Sequence, residues 1–286
     1  MTQQECPGLL AEMPHQWLAA VGATVIAREL RVSWTGDSSP CAVLHGRKTN
    51  PVDVLYAAWP RNDDFTAMPI VEWNLNNRQD IPLADFRRMT RTSLGQEHAW
   101  SLAAAATDLA PSRAIVGTAA RGPFNPGFQG RSSPHRSLLK MLSCTREDIA
   151  DALDGLLPAA KGDGLGLDPG RFPDPQGAES GVKTVHPIEV MAYYGLALFP
   201  LRGDGILGSG HPRQRGWTTR RREDLFRWPA WRQPLDRWAI DTLLDAWNPD
   251  DRAADEILGV TGSWRSVRID RPGKNPGLGY RSQPLQ

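Results

Sequence analysis

Apolar positions recur at helical spacing early in the chain. In HQWLAAVGATVIARE (15–29), Trp17, Leu18, Val21, Val25 and Ile26 share one face, which predicts a helix. The period then changes. In LRVSW (30–34) Leu30, Val32 and Trp34 alternate with polar residues. TGDSSP supplies a turn and CAVLHG (41–46) follows, so this stretch predicts a β-hairpin with a longer loop. Asn50 and Pro51 suit an N-cap and first helical position, which starts a helix over 50–58. MPIVEWNL (68–75) alternates again and predicts a strand.

Residues 82–91 and 93–110 read as helical, the latter on its alanine content, with Pro111 as its end. AIVGTAA (114–120) predicts a short strand, and RGPFNPGFQGRSSPHR (121–136) has loop chemistry throughout. SLLKMLSC (137–144) resumes a helix. TREDIADALDGLLP (145–158) predicts another, with Thr145 as cap and Asp148 where a capping-box acid belongs. Further on, PIEVMAYYG (187–195) reads as a helix and LALFPL (196–201) as a strand, followed by a basic, loop-rich segment over 203–224. LDRWAIDTLLDAWN (235–248) is amphipathic, DRAADEILG (251–259) is a short helix stopped by glycine, and SWRSVRID (263–270) alternates like a strand. The tail from Arg271 is expected to be poorly ordered.

Together these elements predict an α+β fold, with mixed helices packed on small, mainly antiparallel sheets. The Gly-, Pro- and Asp-dense stretch 161–181 reads as a linker or long loop. It divides an N-terminal α+β region (1–160) from a Trp- and Arg-rich C-terminal region (182–286), which can still pack as one domain. One internal echo crosses that division. WLAAVGA (17–23) and VMAYYGL (190–196) share an outline in which Ala19 matches Ala192 and Gly22 matches Gly195.

Composition narrows the function classes. Forty per cent apolar and 23% charged residues are ordinary for a folded protein. The longest apolar stretch, Val190–Leu201, is interrupted by Gly195 and Pro200, so no membrane span is expected. The N-terminus does not read as a secretory signal. Cys6, Cys41 and Cys144 are far apart, which supports neither a disulfide framework nor a zinc site and points to a reducing cytoplasm.

Catalytic signatures are missing. There is no GxSxG turn and no Walker loop, and GLGLDPG (164–170) neither follows a strand nor opens a helix. The six histidines are scattered, so no cofactor, metal or catalytic residue is assigned. Asp63–Asp64 reads as a solvated polar turn. Asp163, Asp168 and Asp174 lack the closing Glu of an EF-hand. These aspartates are the only residues on which a metal-dependent nuclease reading rests.

Charge distribution is more informative than the net charge of +1. Of 33 basic residues five are lysine and the rest arginine, to which genomic base composition contributes. Between His211 and Trp238 eight arginines face three acids, with Trp217, Trp228, Trp231 and Trp238 interleaved. Two readings fit. Arginines that neutralise phosphates beside aromatic faces that stack on unpaired bases would form a nucleic-acid surface. Alternatively the tryptophans are core, and the arginines form a solvated face or pair with acids of another subunit. The candidate contacts are Arg213, Arg215, Trp217, Arg220, Arg221 and Arg222, in the stretch without a carboxylate. A second basic patch holds Arg121, Arg131, Arg136 and Lys140, with His135, among glycines that let backbone N–H groups approach an anion; a mobile, solvated loop fits the same residues.

PIEVMAYYGLALFPLRGDG, then RGW, then LFRWPAWRQPLD resembles the C-terminal part of accessory proteins encoded with type I-G (formerly I-U) CRISPR systems, often described as a helicase-extension family. The positions that carry the resemblance are Glu189, Ala192, Gly195–Leu196–Ala197, Phe199–Pro200, Gly216–Trp217 and Phe226–Leu235. QWLAAVGA followed by RVSW is similar to the family's opening helix and strand. Where that opening has Asn-Pro, this chain has Met13–Pro14–His15. The resemblance implies a non-catalytic accessory subunit in antiviral defence. Its partners would be the subunits of a CRISPR effector complex or a helicase-nuclease, with crRNA or target DNA as the nucleic acid. A protein–protein adaptor that touches no nucleic acid fits the same residues.

Overall fold

The computed structural model describes residues 1–66, 82–93, 104, 106–109, 117–121, 134–161, 183–202, 213–220, 223–269, 277–278 and 282–285. In chain order the elements begin β1 (Thr2–Leu10), α1 (Pro14–Ile26), β2 (Arg31–Trp34), β3 (Cys41–Gly46), α2 (Pro51–Ala57), α3 (Asn62–Thr66) and α4 (Leu83–Ser93). Next come β4 (Ala106–Thr107), β5 (Ala120–Arg121), α5 (Pro134–Met141), α6 (Arg146–Leu153), β6 (Ala160–Lys161), β7 (Lys183–Thr184) and α7 (His186–Gly195). The chain continues through β8 (Leu201–Arg202), β9 (Arg213–Gln214), β10 (Trp217–Arg220), β11 (Glu223–Trp231), α8 (Arg237–Ala246), α9 (Arg252–Leu258), β12 (Val260–Ile269), β13 (Gly277–Leu278) and β14 (Gln283–Pro284). The fold is α+β.

Local chemistry sets several of these boundaries. Asn50 Oδ1 accepts from the Val52 N–H at 2.8 Å and starts α2. Thr145 and Asp148 form a reciprocal capping box at α6. Gly259, at φ +70°, ends α9 in the left-handed conformation that a side chain disfavours.

The N-terminal sheet has the order β1-β3-β2, with both pairings antiparallel. β1 and β2 therefore run parallel with α1 as their crossover, the split βαβ plan. Val32, Trp34, Ala42 and Leu44 lie on the core side, and all are buried. The second sheet runs β10-β11-β12-β13, with β14 also on β12. In β11 Phe226, Trp228 and Ala230 alternate inward, and a bulge before Trp231 turns that ring into the core as well.

Residues from before 160 and after 182 share one hydrophobic core. Trp17 touches Phe199, Phe226 and Trp231 edge-on, at ring separations of 5.8, 6.4 and 6.2 Å. Three indole N–H groups cross between the regions. Trp17 donates to Pro229 O, Trp228 to Ala11 O and Trp231 to Val32 O. Val32 and Leu235 exchange two backbone hydrogen bonds, which tie β2 to the segment between β11 and α8.

The internal echo is a physical contact, because α1 packs directly on α7. A Cβ on Gly22 would sit 1.8 Å from Met191 O, and one on Gly195 would sit 2.2 Å from Leu18 O. The spacing that takes Gly22 to Gly195 also takes Leu18 to Met191 and Pro14 to Pro187. The two helices are therefore equivalent partners across a backbone-to-backbone seam.

Several expectations change. Residues 2–10, where the pattern predicts no element, form β1; the irregular register between Cys6 and Leu10 breaks any clean alternation there. Leu196–Leu198 is a 3₁₀ turn rather than a strand, since the chain continues the helix direction until Pro200. Ala106–Thr107 is a strand paired with Ala120–Arg121, not part of a helix. His135 and Arg136 lie on α5 instead of in a loop. The tail adds β13 and β14 to β12. The strand expected over 68–75 and all but Lys161 of the 161–181 segment lie outside the described residues. Among the described residues no helix is long and apolar enough to cross a membrane.

Candidate nucleic-acid interface

The sheet alternation of β11 places Arg227 on the opposite side from Phe226 and Trp228. β9 and β10 bring Arg215 and Trp217 beside it through a turn that only glycine suits. Gly216 has φ +75°, its carbonyl accepts from the Arg227 N–H at 2.8 Å, and a Cβ there would meet the Phe226 ring at 2.8 Å. Trp217 is half-buried and lies on Phe226 at 5.4 Å, which itself stacks on Trp228 at 5.1 Å.

Arg215, Trp217 and Arg227 line one cavity of about 180 Å³, with Phe199, Leu244 and Trp247 completing its walls. Arg215 is held tightly, its side chain only 8% exposed. Nη1 donates to Leu198 O at 2.9 Å and to Asp241 at 2.6 Å, and Nη2 donates to Asp245 at 2.5 Å. Arg227 Nη1 donates to Asp250 at 2.9 Å. The Nε atoms of both arginines are buried and have no hydrogen-bond partner among the described residues. A buried donor without an acceptor is costly.

For Arg215 the structure favours pairing with acids of its own chain, rather than of another subunit, over contact with a phosphate. Its guanidinium is committed to Asp241 and Asp245, and that of Arg227 to Asp250. Neither charge is on offer to an anion from outside. Trp228 and Trp231 are fully buried core rings, whereas Trp238 is 64% exposed.

The other candidates are placed by their backbones. Arg213 lies on β9 opposite Arg202, and Arg220 ends β10 opposite Glu223. Arg121 lies on β5 opposite Ala106. β4 packs against β8, so the ladder bearing Arg121 adjoins the ladder bearing Arg213. Arg136 is on α5, and Lys140 is exposed in that helix's last turn. Arg131, Arg221 and Arg222 lie outside the described residues.

No family model, curated protein or solved structure matches this chain.

From the sequence, Arg227 is one arginine of eight and is not singled out, and Phe199, Leu244 and Trp247 are missed as cavity residues. The alternation of β11 is the signal for Arg227, hidden by Pro229. Nothing local marks Trp247, which joins the cavity only because α8 packs beside β10 and β11.

Two other polar groupings lie apart from this cavity. A second cavity, of about 250 Å³, sits at the first turns of α1 and α7, lined by His15, Gln16 and Glu189. Glu189 is 2% exposed in the first turn of α7, where the positive helix end favours a carboxylate. That is a structural role. On the N-terminal sheet Ser33 Oγ and His45 Nε2 are 2.9 Å apart, both buried. Burial, and then the Arg31 charge, hold the His45 pKa below its ordinary value. Among the described residues no three His, Cys, Asp or Glu side chains cluster as metal ligands.

Proposed function

We propose that this protein is a non-catalytic accessory subunit of a CRISPR interference complex that binds single-stranded nucleic acid through the β9–β10–β11 region. The observation that supports this reading most is the cavity whose lining includes Trp217, Trp247, Arg215 and Arg227. Aromatic faces beside arginines suit unpaired bases. Arg213 and Arg220, on the adjoining strands, and Arg221 and Arg222 would supply phosphate contacts. The resemblance of 187–235 to type I-G accessory proteins supplies the biological setting.

The test is fluorescence anisotropy with labelled single-stranded RNA, single-stranded DNA and duplex DNA over a salt series. It compares the wild type with a variant carrying Arg213, Arg220, Arg221 and Arg222→Ala, and leaves the structurally committed Arg215 in place. Salt-sensitive binding to single strands is expected, with the slope in the variant shallower by about 0.7 for each phosphate no longer neutralised. No binding to any strand at low salt would overturn the reading.

A second reading rests on Trp238, which is 64% exposed with the Arg237 guanidinium 4.5 Å over its ring. An exposed Trp ring backed by a buried arginine suits a protein interface. An adaptor role would show as binding to an effector subunit that is insensitive to salt and abolished by Trp238→Ala.

A further inference from the structure

We infer that Arg215, Asp241 and Asp245 form a brace that positions Trp217 against the opposite walls of the cavity, so that two acids on α8 are needed to bind a strand; this rests on the nucleic-acid reading above. The brace ties three walls together. Leu198, whose carbonyl accepts from Arg215 Nη1 at 2.9 Å, directly precedes the wall residue Phe199. Asp241 and Asp245 stand one turn apart on α8, the helix that carries Leu244 and ends at Trp247. They accept from Nη1 at 2.6 Å and from Nη2 at 2.5 Å. Arg215 then leads through Gly216 into Trp217. Gly216 has no room for a Cβ, and its carbonyl is held by the Arg227 N–H, so the turn passes the position of Arg215 on to Trp217. A planar fork reaches two carboxylates and a carbonyl with separate nitrogens, which a lysine ammonium does not offer. Charge points the same way. Arg215 and Arg227 are matched by Asp241, Asp245 and Asp250, so these ion pairs leave no surplus positive charge for a phosphate. Arg215 is therefore a positioning residue that holds an aromatic wall for stacking.

The experiment compares intact wild type with Arg215→Lys and with the double variant Asp241→Asn, Asp245→Asn. It reads hydrogen exchange of the free proteins, and anisotropy with labelled oligo-U as the single strand over a salt series. Both variants are expected to exchange faster in 213–220 and 244–249, with no change in 14–26. Both should bind oligo-U about tenfold more weakly at every salt concentration, the order of one lost stacked base, with the salt slope unchanged. The double variant is the sharper, because it removes two negative charges and electrostatics alone would tighten its hold on a strand. Tighter binding with a steeper slope would overturn the brace, since the acids would then only mask Arg215 from phosphate. Unchanged binding in both variants would overturn it too, as would faster exchange throughout the chain, which marks a general loss of stability. If wild type binds no oligo-U at low salt, the nucleic-acid reading fails and exchange alone decides the brace. Loosening confined to the cavity segments then supports it, and unchanged exchange overturns it.

Discussion

The α1–α7 seam and the Arg215–Arg227 cavity are built to opposite rules. At the seam two glycines let backbones touch, and the neighbouring side chains are buried and apolar. At the cavity a glycine turn instead brings two arginines to a void and leaves a donor of each without an acceptor among the described residues. Selection for stability alone would fill such a void or remove such donors. The seam is built for close packing, whereas the cavity belongs to the proposed binding region.

The largest effect that tests this contrast is at the seam. Gly195→Ala or Gly22→Ala forces a Cβ into a backbone carbonyl, and a loss of about 3 kcal/mol or more is expected in urea unfolding. A mild effect would show that the helices separate easily. Trp17→Phe is next. It removes the indole donor to Pro229 O, at a cost of about 1–3 kcal/mol, read from the same unfolding curves. The caps follow. Thr145→Ala should cost about 1 kcal/mol, and Asp236→Ala, which removes the acceptor for the Trp238 and Ala239 N–H groups, a similar amount.

The smallest expected effect is on pH dependence. His45 and His186 both have pKa values held below the ordinary 6.5, each chiefly by burial. The folded state thus binds fewer protons than the unfolded chain. Stability from these groups is complete above that ordinary value and declines as pH falls below it. The urea midpoint should drop on acidification, and His45→Gln should make the decline shallower.

How far the sequence revealed these regions depended on range. Caps at Asn50, Thr145 and Gly259 were legible because each involves residues a few positions apart. The echo of Gly22 and Gly195 was visible as a pattern, but its meaning as a contact needed the fold. β11 was obscured by Pro229, whose carbonyl serves Trp17 far away in the chain. The commitment of Arg215 to Asp241 and Asp245 was invisible for the same reason: those acids lie on α8, well beyond the carboxylate-free stretch that holds the arginine.

The most direct test of the contrast is hydrogen exchange of the intact protein with and without saturating oligo-U. Protection is expected in 213–220, 223–231 and 244–249, with no change in 14–26 or 186–195. Protection confined to the seam, or no protection in the cavity segments, would contradict the assignment of binding to the cavity and folding to the seam.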